Sequence, residues 1–509
     1  MKPIFRSWFQ TRKSRIQRRL DNTRDAATHQ PVFSARSIDY DVSHRHRAIA
    51  HGGIGVIHML AHQLGLPQAI DQRLHVLKVH LPYHESDHVL NIAYNSLCHG
   101  NCLQDIELRR NDEAFLDALG ARRIPDPTTA GDFCRRFTQT HIDALQTAID
   151  ETRRNVWAKQ PRSFFNRATI DMDGTLVGTN GECKAGMDIA YDGTWGYHPL
   201  VVSLAETGEV LRVLNRPGNR PSHDQAATQV NQAIWLCLQA GFRSTVLRGD
   251  TDFSQTQHLD LWGGLPGVTF IFGYDAKSNL IELAERLPTT AWKRLDRPTR
   301  YEVKTQPRQR PDKVKDRIVR ERQFDVLRLK SEEVAEFDYR PTACKHTYRM
   351  VVIRKHISKE KGEQVLFPEV RYFFYITNDR KATAAEIVFE ANDRCNQENL
   401  LAQLHDGVGA LQAPVNTLES NGAWMVMTAL AWNLKAWWAL MLPVSPGRWE
   451  EQHREEKRRV LRLEFKAFVN AFVTIPCEVI QTGRRLVLRV LGWNPHLLTF
   501  FRLVSLLRQ

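Results

Sequence analysis

The sequence lacks the marks of several specialised protein classes. Its 509 residues contain eight cysteines, none of them in a Cys-x-x-Cys pair, and neither an apolar signal peptide nor an internal repeat is apparent. Hydrophobic residues make up 42% and charged residues 25%. These ordinary values exclude wholesale disorder, a collagen-like fibre and a small disulfide scaffold. We therefore expect a folded protein of a reducing, cytoplasmic compartment.

Positive charge is in excess, and it is concentrated in two segments. The formal net charge is +13. Residues 1–24 carry eight Lys or Arg against one Asp, and residues 293–330 carry fourteen against six acidic residues. Such blocks favour contact with DNA or RNA phosphates, although a solvated charged surface is the simpler alternative. The predicted contacts are Arg12, Lys13, Arg15, Arg18, Arg19, Arg308, Arg310, Lys313, Lys315 and Arg317.

Hydrophobic periodicity divides the chain into helical and sheet regions. Residues 47–155 show helical spacing, and Thr129 is predicted as the N-cap of one helix. From residue 163 the period changes to that of strands. The predicted elements are a strand at 168–170, a hairpin of 200–204 with 210–214, a helix at 223–240, and strands at 245–247 and 268–272.

The second basic block interrupts this pattern. Residues 293–355 contain strand-like pieces without a strong helical period, so we interpret them as an insertion. The core pattern resumes with a strand at 372–377, and a capping box of Thr383 with Glu386 opens a helix to about Leu404. The Trp-rich apolar stretch 423–442 is predicted as a buried helix, because a lysine and an asparagine near its middle are costly in lipid.

Acidic residues stand at the ends of these elements. Asp173, with Asp171 two residues earlier, follows the first strand, and Asp250 follows a later one. Glu398 lies in the predicted helix, four residues after Arg394 and therefore on the same helical face. Carboxylates that converge from separate elements are suited to two hard divalent cations, which promote phosphodiester displacement. The alternative is that each is a turn, cap or ion-pair residue.

These acids occur in strings that resemble a known family. The strings are Ile170-Asp171-Met172-Asp173-Gly174-Thr175, Arg216-Pro217-Gly218-Asn219, Arg248-Gly249-Asp250-Thr251-Asp252-Phe253 and Arg394-x-x-x-Glu398. In this order they resemble the DDE transposases of bacterial insertion sequences, over residues 45 to 440. Ala391 and His405 stand where that family often has Tyr and Lys.

The resemblance implies a fold and a mechanism. The fold is an α/β, RNase H-like core interrupted by a β-rich insertion, with helical N-terminal and C-terminal regions. Asp173, Asp250 and Glu398 are then the catalytic metal ligands for two Mg²⁺ ions, with Mn²⁺ as a substitute. Asp171, Arg394 and His405 support the metal site or contact DNA. The implied partners are the terminal inverted repeats, target DNA and a second copy of the chain.

The predicted segments follow from the periodicity and the resemblance together. They are a basic tail at 1–28, a helical DNA-binding region at 29–160, the first part of the core at 161–292, the basic insertion at 293–365, the second part of the core at 366–410 and a helical C-terminal region at 411–509.

Two other functions use the same residues. Asp171-x-Asp173-Gly174-Thr175 also resembles the first motif of haloacid dehalogenase-like phosphatases, in which the first Asp is the nucleophile and the second the general acid. Two concentrated basic blocks have no use in a phosphatase of small metabolites. The remaining alternative is a catalytically inactive derivative that only binds DNA.

Overall fold

The computed structural model describes residues 3–21, 38–42, 46–80, 82–297, 313–361, 364–483 and 485–508. Two of the predicted DNA contacts, Arg308 and Arg310, lie outside these residues. The chain forms two compact units. Unit 1 comprises Met1–Arg162, Thr175–Arg220 and Asn399–Gln509, and unit 2 comprises Ser163–Gly174 and Pro221–Glu398.

Unit 1 is mainly helical. Its described α-helices are α1 Pro3–Leu20, α2 Ile54–Gln63, α3 Leu66–Arg73, α4 Glu85–Leu97, α5 Ile106–Arg110, α6 Glu113–Leu119, α7 Pro127–Arg135, α8 Gln139–Trp157, α15 Leu418–Leu440, α16 Glu450–Leu461, α17 Phe465–Phe468 and α18 Leu497–Leu507. Single π-helical turns follow at Gln403–Gly407 and Val469–Val473.

Unit 1 also contains short sheets. Its strands are β1 Arg47–Ile49, β3 Val177–Gly178, β4 Asp188–Ile189, β5 Trp195–Tyr197, β6 Leu200–Leu204, β7 Glu209–Leu214, β14 Cys477–Thr482 and β15 Arg485–Val490. The antiparallel hairpin β6–β7 confirms the predicted pairing. The N-terminal and C-terminal regions are not purely helical as predicted, since β1 pairs with β14. A three-residue strand whose partner lies far along the chain leaves no periodic signal.

Unit 2 is built on a mixed sheet with helices. Its elements are β2 Ala168–Gly174, α9 Ala226–Ala240, β8 Thr245–Gly249, α10 Thr256–Gly264, β9 Val268–Tyr274, α11 Ser278–Glu285, β10 Lys293–Arg294, α12 Val314–Glu321, β11 Asp325–Tyr339, β12 Tyr348–Lys361, β13 Gln364–Thr377 and α13 Ala384–Asn392, followed by the start of α14 Cys395–Ala402. Short 3₁₀ turns lie at Thr251–Phe253 and Thr289–Ala291.

The strands of unit 2 lie in the order β10, β11, β12, β13, β9, β8, β2. The pairs β9–β8 and β8–β2 are parallel, and the others are antiparallel. Most residues of β2, β8 and β9 are buried, which is typical of parallel strands covered on both faces. The mixed α/β class predicted from the sequence is confirmed, and the strand β13 spans the predicted boundary between insertion and core.

Two local predictions are wrong. The N-cap of α7 is Asp126 rather than Thr129, because the Asp126 side chain accepts from the Thr129 backbone N–H at 2.8 Å and Pro127 occupies the first turn. The helix predicted from Thr383 to Leu404 is broken between α13 and α14, although the capping box of Thr383 with Glu386 is present. Asn392 ends α13 and Asp393 lies in the break, and both residue types compete with helical hydrogen bonding.

Helix α15 confirms the prediction of a buried helix, since Ser420 through Leu440 are all buried. Its polar residues have partners: the Asn433 side chain pairs with the backbone N–H and C=O of Val210 at 2.9 and 3.0 Å. Lys435 Nζ donates to the carbonyl of Leu461 at 2.9 Å, and burial lowers the pKa of Lys435 to about 7. Within the described ranges, no helix has the length and apolarity needed to span a bilayer.

A buried carboxylate organises the interior of unit 1. Glu209, fully buried, accepts from Arg153 Nε at 3.1 Å, from the indole N–H groups of Trp157 at 2.9 Å and Trp437 at 2.8 Å, and from the Thr207 hydroxyl at 2.8 Å. These donors come from α8, α15 and the β6–β7 turn. Removal of the Glu209 carboxylate would take this acceptor from all four donors at once.

We predict that Glu209→Ala lowers the free energy of unfolding by about 3–5 kcal/mol, because four buried donors lose this acceptor, although Arg153 keeps its ion pair with Asp150. Urea unfolding of the full chain measures the loss. The control is Glu182→Ala, an exposed glutamate of unit 1, which should change stability by less than about 0.5 kcal/mol. Equal losses for the two variants would contradict the prediction.

Candidate active site

The sheet of unit 2 brings two of the predicted acids to the same edge. In the parallel pair β2–β8, Asp171 lies opposite Arg248. Two residues further along the chain, Asp173 is still on β2 and Asp250 comes directly after β8. Because both strands run in the same direction, the two carboxylates emerge together at the carboxyl ends of the strands.

One guanidinium lies between these two acids. Arg394 Nη1 lies 3.0 Å from Asp173 Oδ2, and Arg394 Nη2 lies 3.6 Å from Asp250 Oδ2. The side chains of Asp173 and Arg394 are 14% and 18% exposed, whereas that of Asp250 is 37% exposed. The arrangement is therefore partly desolvated and accessible from the Asp250 side.

Burial dominates the electrostatics of the pair. Burial raises the pKa of Asp173 to about 6, Arg394 opposes this shift, and the neighbouring Asp250 carboxylate adds to it. Burial also raises the pKa of Asp250, again against the effect of Arg394. The guanidinium compensates only part of the desolvation cost of the two acids.

The third predicted acid borders a cavity next to the pair. The cavity has a volume of about 390 Å³, and Asp250, Arg394 and Glu398 all line it. Asp173 is joined to this wall through its ion pair with Arg394. The rest of the lining is rich in aromatic side chains: Tyr274, Tyr372, Phe373, Phe374 and Tyr375.

The helix break changes the predicted relation between Arg394 and Glu398. The two residues are not on one face of one helix as predicted, because α13 ends at Asn392 and α14 begins at Cys395. Arg394, in the break, points to the two strand ends. Glu398 is exposed in the first turn of α14, where a negative charge suits the helix dipole.

Asp171 has a different environment from Asp173. Its carboxylate is 1% exposed and accepts from Arg248 Nε and Nη2, both at 2.7 Å. Arg248 Nη1 donates in turn to the backbone carbonyl of Glu390 at 2.9 Å and to its carboxylate at 3.2 Å. Neither Arg248 nor Glu390 is among the site residues predicted from the sequence. The only signal for Arg248 is its place beside Gly249 and Asp250.

The remaining predicted contacts lie in other elements. His405 is in the π-helical turn of unit 1, where its Nδ1 lies 2.7 Å from Asp406 Oδ1. The predicted basic tail contains helix α1, on which Arg12, Lys13, Arg15, Arg18 and Arg19 lie. In the insertion, Lys313 directly precedes α12, and Lys315 and Arg317 are exposed on it.

Helix α1 is fixed by aromatic contacts. Phe9 is 7% exposed, and its ring lies 5.7 Å from that of Phe501 on α18. The Arg12 guanidinium lies 5.0 Å from the Trp8 ring centroid. None of the five basic residues of α1 named above forms an ion pair among the described residues, so the helix presents uncompensated positive charge.

The donor chemistry of the acids suits a hard divalent cation, since all three would offer carboxylate oxygens. Two of them already hold a cationic group, the Arg394 guanidinium, between them. In the described part of the chain, this site included, no group of three or more His, Cys, Asp or Glu side chains is placed to hold a metal ion.

The raised pKa of Asp173 predicts a pH-dependent stability. An acid whose pKa is higher in the folded state stabilises the fold while it is protonated, and this contribution is lost as the pH rises through its folded pKa, about 6 here. The neutral variant Asp173→Asn should therefore be more stable than wild type at pH 8, by on the order of 2 kcal/mol, and equally stable at pH 4.

Urea unfolding at pH 4, 6 and 8 in chelator-containing buffer measures this difference. Asp275→Asn is the control, because Asp275 follows the neighbouring strand β9 but is exposed. A wild-type chain that matches or exceeds Asp173→Asn in stability at pH 8 would show that Arg394 fully compensates the burial of Asp173.

Comparison with known proteins places the chain in a family. No curated protein matches its sequence. Among solved structures, it is similar to a piggyBac transposase in a synaptic complex with hairpin DNA, with 9% sequence identity, a TM-score of 0.38, and coverage of 84% of this chain and 83% of the other. That likeness is too remote to assign residue roles. Residues 32–506 match the family pattern described as transposase DDE domain group 1. The chain therefore belongs to this family of DDE transposases.

Proposed function

We propose that the chain cleaves DNA strands at the ends of a mobile element and joins them to target DNA by two-metal-ion phosphodiester chemistry. The observation that carries this proposal is the convergence of Asp173 and Asp250 on one guanidinium, beside a cavity that Glu398 also lines. We assign the three acids as the catalytic residues, on an RNase H-like core.

The metal ions and the protein side chains would have separate roles in this reaction. Asp173, Asp250 and Glu398 would hold two Mg²⁺ ions, which activate the attacking oxygen and stabilise the leaving oxygen in such reactions. Arg394 lies in the cavity wall as a cation suited to a DNA phosphate. Partial burial of Asp173 keeps water from screening these charges.

The phosphatase alternative does not suit the environment of Asp171. Its nucleophile would be Asp171, whose two oxygens both accept from a buried guanidinium and which is 1% exposed. A nucleophilic carboxylate needs an oxygen that faces the substrate. The inactive DNA-binding derivative differs from our proposal only in its lack of cleavage, which an assay decides.

The DNA partner is proposed from the surface charges. Helix α1 presents basic side chains without acidic partners among the described residues, whereas the arginines of α16, such as Arg454 and Arg458, pair with glutamates of the same helix. We propose that α1 and the start of α12 lie along DNA phosphates at the terminal inverted repeats. We further propose that two copies of the chain act together, in the cytoplasm of a bacterium.

We predict that Asp173→Asn, Asp250→Asn and Glu398→Gln each abolish strand cleavage and leave binding to element-end DNA within about twofold, because each removes a metal ligand and little of the DNA surface. A gel-shift assay and a cleavage assay with Mg²⁺ separate the two effects. Asp252→Asn, an exposed neighbour of Asp250, is the control that should cleave normally. Wild-type cleavage by Glu398→Gln would refute the assignment of the third acid.

A further prediction concerns the salt dependence of DNA binding. Neutralising Lys13, Arg15, Arg18 and Arg19 to Gln should flatten the slope of log affinity against log salt by roughly 0.9 for each DNA phosphate that the variant no longer neutralises. Fluorescence anisotropy between about 50 and 200 mM salt measures the slope. The double variant Arg454→Gln, Arg458→Gln should leave it unchanged. An unaltered slope in the α1 variant would mean that these charges only solvate the surface.

A further inference from the structure

A group of ion-paired side chains around Arg248 links β2 and β8, whose carboxyl ends bear Asp173 and Asp250, to α13, the helix that precedes Arg394 and Glu398. Arg248 lies on β8, its bidentate partner Asp171 on β2, and Glu390 on α13. Asp173 lies two residues after Asp171, and Asp250 lies two residues after Arg248. Arg394 lies four residues after Glu390. A displacement of any one element would therefore stretch the contacts of the same guanidinium.

All three nitrogens of the Arg248 guanidinium donate hydrogen bonds. Nε and Nη2 bind the two oxygens of Asp171, and Nη1 binds the carbonyl and carboxylate of Glu390. A planar fork of this kind directs three nitrogen donors at fixed angles, here into four hydrogen bonds. A lysine at this place keeps the charge but cannot span both partners.

This group of ion-paired side chains is also balanced in charge. Arg167 binds the same Glu390 carboxylate oxygen, Oε1, as Arg248 does, so two acids and two arginines neutralise one another. Arg248 and Asp171 are 4% and 1% exposed, which prevents either from reaching DNA. Their effect on the site must therefore be exerted through position rather than through net charge.

We propose that Arg248 is a positioning residue of the transposase reaction, which fixes the strand ends bearing Asp173 and Asp250 against the segment bearing Arg394 and Glu398. This proposal rests on the proposed function of those acids. It assigns the buried Asp171 to the same positioning role.

The test compares Arg248→Lys and Arg248→Met in the full chain. We expect both to lower the cleavage rate 10- to 100-fold, the usual cost of losing a group that orients metal ligands, and to weaken Mn²⁺ binding, measured by electron paramagnetic resonance, about tenfold. Binding of element-end DNA should stay within twofold. Because Lys keeps the charge, a loss as large as that of Met identifies geometry as the cause.

A matched control removes a similar ion pair elsewhere in unit 2. Arg297 binds both oxygens of Glu332, at 2.5 and 2.9 Å, and Glu332 lies on β11. Arg297→Lys should lower thermal stability without changing Mn²⁺ affinity. If the Arg248 variants fold poorly, Glu390→Gln takes their place, because it keeps the backbone acceptor and should weaken Mn²⁺ binding in the same direction.

The outcomes separate the two proposals. Mn²⁺ affinity and cleavage within twofold of wild type in Arg248→Lys, or an equal loss in Arg297→Lys, overturn the role of Arg248 alone. A wild-type chain that binds Mn²⁺ but does not cleave element-end DNA overturns the proposed function, and the Mn²⁺ affinities of the variants then decide the role of Arg248. A wild-type chain without Mn²⁺ binding overturns both.

Discussion

The parallel register of β2 with β8 is the constraint on which the candidate site depends. Ala168 lies opposite Thr245 and Asp171 opposite Arg248, so the two strands end side by side. A slip of one residue would turn Asp171 to the other face of the sheet and leave a buried guanidinium without its partner. Breaking such a pair typically costs about 3–5 kcal/mol. The register is thus protected by the same contact that fixes the spacing of the acids.

Two acids on one strand meet opposite environments. Asp171 is buried deeply, yet both of its oxygens accept charged hydrogen bonds. Asp173 is less buried, shares one guanidinium with Asp250, and has a pKa raised to about 6. Burial raises the pKa of both acids, so the difference between them is access: Asp171 is 1% exposed with both oxygens bound to Arg248, whereas Asp173 is 14% exposed beside the open Asp250. The two environments therefore separate a structural acid from a proposed catalytic one.

Much of the sheet could be predicted because its signals are local. The apolar runs of β8 and β9, the hairpin β6–β7 and the capping box at Thr383 each lie within a short window of sequence. The family resemblance depends on equally short strings. The role of Arg248 could not be predicted in this way, since its partner Asp171 lies 77 residues away and the contact exists only in one strand register.

The break between α13 and α14 shows why motif spacing alone misplaces a site. In a continuous helix, Arg394 and Glu398 would be neighbours one turn apart and would compensate each other. The break frees Arg394 from that geometry, and its guanidinium meets Asp173 and Asp250 instead. Glu398 lies in the first turn of the new helix and stays exposed at the cavity. The four-residue spacing therefore serves two separate requirements: a cation for the strand-end acids, and an exposed carboxylate beside the space where the proposed substrate binds.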